Sequence, residues 1–460
     1  MRSRPSIPSN FRLPFQLRNR SNVVSKGTAN VRALPAHPKP ASSGQRPAQP
    51  PKQFKWARWC GILAVLIYFI RGTVLSWYLH VPDSAWILLT CAVLFVGAGM
   101  AVAGGGRLRW SWAIVLFAFA VSISKAEQPI SSGLHWFGLA LVILAVGPMI
   151  MNPVAIELRS AAWKLTIRGL TSLTAIFVVW YLARLPSLGA GDFSSFMSHC
   201  MLLAPIAGMG VVIALVRALH GRSWRWGLLA VLGLLPLLAA GSRVATLATG
   251  VAGCFLMIRR KPILGVSVAL LFLAVVYGFV AHSDSGEASD EVTGALSRKG
   301  IENTRAELWQ DRILEFESSP VFGIGVAMGT GNSTDQSQNG SIRVEPGSCY
   351  LAILAMTGAV GTVAFFSALG LLLFGYVKSQ RQAGLDRDIL NVVGIYLAVH
   401  GVAEGWILTF GSPLCFLFWL WLGNVGDAAL QPVRARTKRG LRAIMRPPSA
   451  DFLNAETLKR

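Results

Sequence analysis

The sequence predicts an all-α polytopic membrane protein, and three observations carry that prediction. Apolar residues make up 53% of the 460 residues and charged ones only 14%, against roughly 25% charged in a soluble domain. Apolar runs near or above ~18 residues recur along the chain, the length needed to cross a bilayer as a helix. The runs are continuous rather than alternating, so they fit helices and not barrel strands.

Residues 1–56 are rich in Pro, Arg, Ser and Asn and contain no acidic residue. They read as a disordered basic tail that anchors topology. Their length and polarity do not suit a signal peptide. Twelve spans are then expected, at 59–79, 84–103, 110–123, 134–151, 165–183, 201–219, 226–240, 244–258, 263–281, 347–377, 389–408 and 413–430. The third, seventh and eighth are short for a bilayer and fit tilted or re-entrant segments. The expected organisation is therefore a tail at 1–56, nine spans within 57–281, a large polar loop at 282–346, three spans within 347–430, and a second basic tail at 431–460.

The formal charge of +22 raises nucleic acid as a partner, but its distribution argues against that. Basic residues collect in the two tails and in alternate short loops, at Arg107/Arg109, Arg159/Lys164, Arg222/Arg225, Arg259–Lys261 and Lys378/Arg381/Arg387. This is the positive-inside pattern, with membrane lipids as the counter-charge. It places both termini in the cytoplasm and the 282–346 loop on the extracytoplasmic face, periplasmic in a Gram-negative cell. That loop holds about half of the acidic residues. The six cysteines are scattered without a Cys-x-x-Cys pair, and read as small membrane-buried residues. No nucleotide, dinucleotide or metal-binding motif is present, so no cofactor and no metal are expected.

Three features of the expected outer face point to chemistry. Gly241-Ser242-Arg243 puts a guanidinium between two short apolar runs. A charge near that depth is costly, and arginine cannot shed its proton. It suits either a lipid phosphate or an anionic substrate. Next, residues 304–314 carry Leu308, Arg312 and Phe316 at helical spacing, with Trp309, Ile313 and Leu314 as an apolar stripe. They predict an amphipathic helix at the membrane surface, with Arg305 near its positive end. Third, Phe322-Gly323-Ile324-Gly325 is a turn that lets backbone approach a neighbour closely. It is followed by a polar stretch ending in Glu345-Pro346-Gly347-Ser348-Cys349-Tyr350. Glu345 stands extended just before a helix start. Later, His400 and Glu404 are expected one helical turn apart in the outer half of a span. An intramembrane carboxylate there is functional by default, although a helix-packing ion pair accounts for it equally well. Arg184 and His199 are weaker candidates on an earlier outer loop.

Gly-Ser-Arg opening a short helix, then Thr304-Arg305-x-x-x-Trp309, Pro320-x-x-Gly323-x-Gly325 and a polar stretch leading into Tyr350-Leu351 together resemble the O-antigen ligase/polymerase (Wzy-type) superfamily over residues 241–366. The resemblance implies a GT-C-like bacterial glycosyltransferase of the inner membrane. Such enzymes take a glycan from undecaprenyl diphosphate and transfer it at the outer face, without nucleotide sugar and generally without metal. Arg243 and Arg305 match the family arginines thought to hold the donor diphosphate. Family ligases typically carry a histidine before the Tyr-Leu helix as base. Here Glu345 stands nearby and no histidine does. That departure makes the chain look more like the exopolysaccharide polymerase branch, with Glu345 as base. Ser242, Trp309, Tyr350, His400 and Glu404 are then candidates for acceptor binding or support of the site. Expected partners are the undecaprenyl-diphosphate-linked oligosaccharide, membrane lipids, and a flippase and chain-length regulator of an export machine. A ligase and a lipid-linked glycan transporter are the alternatives; a transporter would spread charges over mid-membrane helices.

Overall fold

The computed structural model of the chain describes residues 52–79, 81–184, 193, 195–197, 200–221, 223–283, 301–327, 329, 334–336, 342–344, 347–379 and 384–444. The two expected basic tails lie mostly outside the described residues. The architecture is all-α and polytopic. It opens with α1 (Lys52–Arg71), α2 (Leu75–Tyr78), α3 (Asp83–Ala103), β1 (Arg107–Leu108), α4 (Trp110–Ser122), α5 (Pro129–Ala145), β2 (Ile150–Met151) and α6 (Pro153–Arg184). Then come α7 (Cys200–Gly221), α8 (Trp224–Leu232), α9 (Leu234–Ala239), α10 (Arg243–Arg260) and α11 (Pro262–Ser283). The last part holds α12 (Ile301–Ser318), β3 (Thr334–Gln336), β4 (Ile342–Val344), α13 (Cys349–Lys378), α14 (Leu385–His400) and α15 (Pro413–Ile444).

Each of the twelve expected spans falls on helix, but their lengths differ from expectation. Among the described residues six helices are long and apolar enough to cross a membrane: 53–71, 84–103, 153–184, 201–221, 349–378 and 413–430. Others are shorter, including Trp110–Lys125 and Pro129–Ala145. The span expected at 134–151 is corrected to α5, which stops at Ala145. Gly147-Pro148 cannot continue a helix. Ile150 and Met151 instead pair antiparallel with Leu108 and Arg107. The span expected at 226–240 divides at Gly233 into α8 and α9.

The core lies around α7 and α15, whose apolar windows are 72% and 67% buried. Trp112 meets Trp419 edge-on at 5.5 Å, and Phe365 packs against both rings. Edge-to-face aromatic contact adds to area burial.

Two ends of the bundle are distinct. At one end, which we term the basic end, α7, α10 and α14 converge on the buried carboxylate of Asp388. Arg260 Nε donates to it at 2.8 Å, Arg259 lies at 3.7 Å and His220 at 3.6 Å. There too, α6 is bound to α15. Arg159 donates to both Asp427 oxygens at 2.8 and 2.7 Å and to the carbonyls of Gly147 and Ile150 at 3.1 Å each. Such a fork satisfies a buried guanidinium that would otherwise be very costly. Because α10 and α14 both have one terminus at Asp388, Arg243 and His400 lie at the opposite end. At ~1.5 Å rise per residue the two helices extend roughly 20–25 Å from that anchor.

Candidate functional site

At this second end three features meet: the start of α13, the chain after α14, and α12 with the turn that follows it. The Cys349 amide donates to the Gly401 carbonyl at 2.8 Å, joining the α13 start to the α14 end. Cys349 Sγ donates to the Glu404 carbonyl at 3.0 Å and accepts from the Trp406 amide at 3.4 Å. One small thiol therefore organises residues 401–406. Further along, the Ile407 carbonyl accepts from Trp419 Nε1 and Cys415 Sγ, both at 3.3 Å.

This corrects the expected 389–408 span. Helix α14 ends at His400 with Gly401 as its C-cap, and Glu404 lies in the irregular segment beyond. His400 and Glu404 are therefore not stacked on successive helical turns. Gly401 and Gly405 weaken helix continuation, and the Gly401 carbonyl is taken by Cys349. His400 is 3% exposed and its Nδ1 accepts from Trp406 Nε1 at 3.1 Å. A neutral ring in that arrangement carries its proton on Nε2. Tyr396 stacks on it at 5.7 Å. Glu404 is half-buried.

Arg243 is the first residue of α10 and is half-buried. Gly241 turns the chain with φ +67, and Ser242 caps the helix, its Oγ accepting from the Ala245 amide at 3.3 Å. Ser242 thus has a capping role. Cation and helix N-terminus coincide here, and both favour an anion.

Helix α12 forms as expected. Leu308, Arg312 and Glu315 are buried, while Ile313 and Leu314 are 46% and 54% exposed. Ile313 and Leu314 therefore face away from the protein, while Trp309 is half-buried against it. Arg312 pairs with Glu315 at 2.7 Å, one turn away. Burial lowers the Arg312 pKa, opposed by Glu315 and Asp311, and the guanidinium remains a cation. Trp309 Nε1 donates to the Gly347 carbonyl at 3.2 Å and ties α12 to the α13 entry. Arg305 lies in the second turn of α12, and its side chain is outside the described residues. Glu345 and His199 also lie outside them.

The glycine turn has a clear partner. Helix α13 is kinked at Gly358, where φ is +63. The turn after α12 docks into the kink: Ile324 and Gly325 amides donate to the Ala355 and Met356 carbonyls at 3.0 and 3.1 Å, and Ala359 and Val360 amides donate to Pro320 and Val321 carbonyls at 2.8 and 3.1 Å. A Cβ on Gly323 would collide with Met356 backbone, and one on Gly358 with Val321 backbone. The close approach expected of this turn is thus to α13 at Gly323 and to Ala126 and Ser132 at Gly325.

Tyr350 donates its hydroxyl to the Ala398 carbonyl at 2.7 Å and stacks on Phe366. Arg184 lies over the Trp180 ring at 5.0 Å. Among the described residues no group of three or more His, Cys, Asp or Glu side chains could hold a metal ion. The sequence reading missed Cys349, Trp406, the Arg312–Glu315 pair and the Gly358 kink. Only the i, i+3 spacing of Arg312 and Glu315 could have signalled one of them.

These features define a helical membrane protein with a cation-headed helix and a docked surface helix at one end. Residues 228–366 match a family model described as O-antigen ligase. That segment runs from α8 into α13 and includes Arg243, Arg305 and Glu345. The match supports the O-antigen ligase/polymerase superfamily, and with it a membrane function of glycosyl transfer. No curated protein matches the chain.

Proposed function

We propose that the chain is a polysaccharide polymerase of the bacterial inner membrane. It joins undecaprenyl-diphosphate-linked repeat units at the extracytoplasmic face, with both termini in the cytoplasm. The observation that carries this reading is the position of Arg243, at the head of α10 and inside the matched segment, at the end where the α13 entry is assembled. In the proposed reaction an acceptor sugar hydroxyl attacks the donor anomeric carbon. A new C–O bond forms as the bond to the diphosphate oxygen breaks, and the configuration inverts. Arg243 and Arg305 hold the departing diphosphate, whose charge grows as the bond breaks. Glu345 takes the hydroxyl proton. No metal or nucleotide is required. Glu404, His400 and Tyr350 support the acceptor side. A flippase would supply the substrate and a chain-length regulator would act on the product.

The description of the matched family favours a second reading, transfer of a finished glycan to a different acceptor, as a ligase. Purified protein with synthetic undecaprenyl-diphosphate oligosaccharide, without nucleotide sugar and with chelator, separates the readings. A product ladder from that single substrate is expected, and its loss in Glu345→Gln identifies the base. A ladder surviving Glu345→Gln moves the base elsewhere, first to Glu404 or His400. No ladder, with product only on adding a second glycan or lipid acceptor, overturns the polymerase in favour of the ligase.

A further inference from the structure

A lateral cavity of about 340 Å³ lies between α13, α14 and α15, with Phe255 of α10 on its rim. That volume is within the roughly 300–1,000 Å³ of small-molecule sites. Leu369 and Leu373 of α13, Ile395 of α14 and Phe418 of α15 line its middle. Tyr350 and Trp406 stand at the site end, and Tyr376 and Asn391 at the basic end. The cavity is therefore an apolar groove along α13 beyond the Gly358 kink, from Tyr376 to Phe365, with Tyr350 stacked on Phe366 at its site end.

Its two ends differ in chemistry. No cation is among the residues that line the cavity itself. At the basic end Arg387 lies over the Tyr376 ring at 4.9 Å and donates to the Tyr376 carbonyl at 3.2 Å. Lys378 lies over the Phe374 ring at 4.6 Å and is exposed. Arg259 and Arg260 are nearby on Asp388. Against these four cations stand the carboxylates of Asp388, which is buried, and Asp386, which is exposed. Just inside this rim, Tyr376 donates its hydroxyl to Asn391 Oδ1 at 3.0 Å. Asn391 Nδ2 is out of solvent and has no hydrogen-bond partner among the described residues. A buried amide donor needs an acceptor.

We propose that the groove binds an acyl chain of one anionic phospholipid from the leaflet at the basic end. The phosphate sits on Lys378 and Arg387, an ester carbonyl accepts from Asn391 Nδ2, and the chain runs along α13 toward Tyr350. The order cation, amide donor, apolar groove repeats the order phosphate, ester, hydrocarbon of a phospholipid. An isoprenyl diphosphate would offer no ester carbonyl to Asn391 Nδ2. The site is separate from Arg243, and its occupancy does not depend on the polymerase reading.

The test is native mass spectrometry of the full chain in detergent, with phosphatidylglycerol, phosphatidylcholine or undecaprenyl phosphate added at equal concentration. One phosphatidylglycerol is expected to remain bound, in preference to phosphatidylcholine by about fivefold per engaged cation. Lys378→Gln with Arg387→Gln should erase that preference while phosphatidylcholine retention stays unchanged. Leu373→Trp fills the groove and should lower retention of both phospholipids. Equal retention of the two phospholipids by the wild-type chain overturns the proposal, with no variant needed. Displacement of phosphatidylglycerol by equimolar undecaprenyl phosphate overturns it as well, and assigns the groove to an isoprenyl chain.

Discussion

The two ends of the helical bundle are held together by different chemistry. At the basic end the fastenings are mainly ionic: Arg159 on Asp427, and Arg259 and Arg260 on Asp388, with His220 beside them. At the site end the links between elements are mainly neutral hydrogen bonds to backbone carbonyls, from Cys349, Trp309, Tyr350 and Trp419. A buried ion pair fixes helices strongly but neutralises its own charge. Neutral fastening holds the α13 entry in place.

Mutations at the two ends should therefore have different consequences. The largest effect is expected from Arg159→Ala, which leaves Asp427, at 12% side-chain exposure, without its paired guanidinium and with only the more distant attraction of Arg109. Breaking such a pair costs about 3–5 kcal/mol, and the variant should fail to accumulate in the membrane, read by immunoblot of membrane fractions. Full accumulation would show that the ionic end is not a structural clamp. Arg243→Ala should do the opposite. Protein level should match wild type while glycosyl transfer falls by about 10²–10³-fold, the usual loss for one transition-state donor. Normal product length would remove Arg243 from the diphosphate clamp.

Intermediate effects belong to the docked turn. Gly358→Ala places a side chain at φ +63 and against the Val321 backbone. A strained position of this kind costs about 1–3 kcal/mol. Limited proteolysis should then cut within 319–327, and unchanged protection would show that the kink tolerates a methyl group. The smallest effect is expected from Trp309→Phe, which deletes one hydrogen bond to the Gly347 carbonyl. A loss of about 0.5–1.5 kcal/mol should lower the unfolding temperature slightly. Activity should fall with it only if the α12–α13 link orders the Glu345 segment, which an assay beside the melting curve decides.

Much of this architecture was legible in the chain. Apolar runs mark helices because a helix in lipid satisfies its own backbone, so hydropathy along the sequence is sufficient. The helix opening at Gly-Ser-Arg, the helix within 304–314 and the close-approach glycines were likewise local signals. Helix ends were less legible. His400 and Glu404 have the spacing of one turn, yet the helix stops between them because Cys349, distant in sequence, takes the Gly401 carbonyl.

By itself the sequence determined the membrane class, the helix positions and the residues at the head of α10, since each depends on near neighbours in the chain. Tertiary structure decided which face of α12 is buried, what the glycine turn docks against and where α14 ends. In the sequence Arg312 and Glu315 read as charges facing water, because their burial depends on another element covering them. The Gly358 kink likewise has meaning only with Pro320 and Val321 bonded across it. Backbone groups look alike in every residue, so only the fold shows which of them meet.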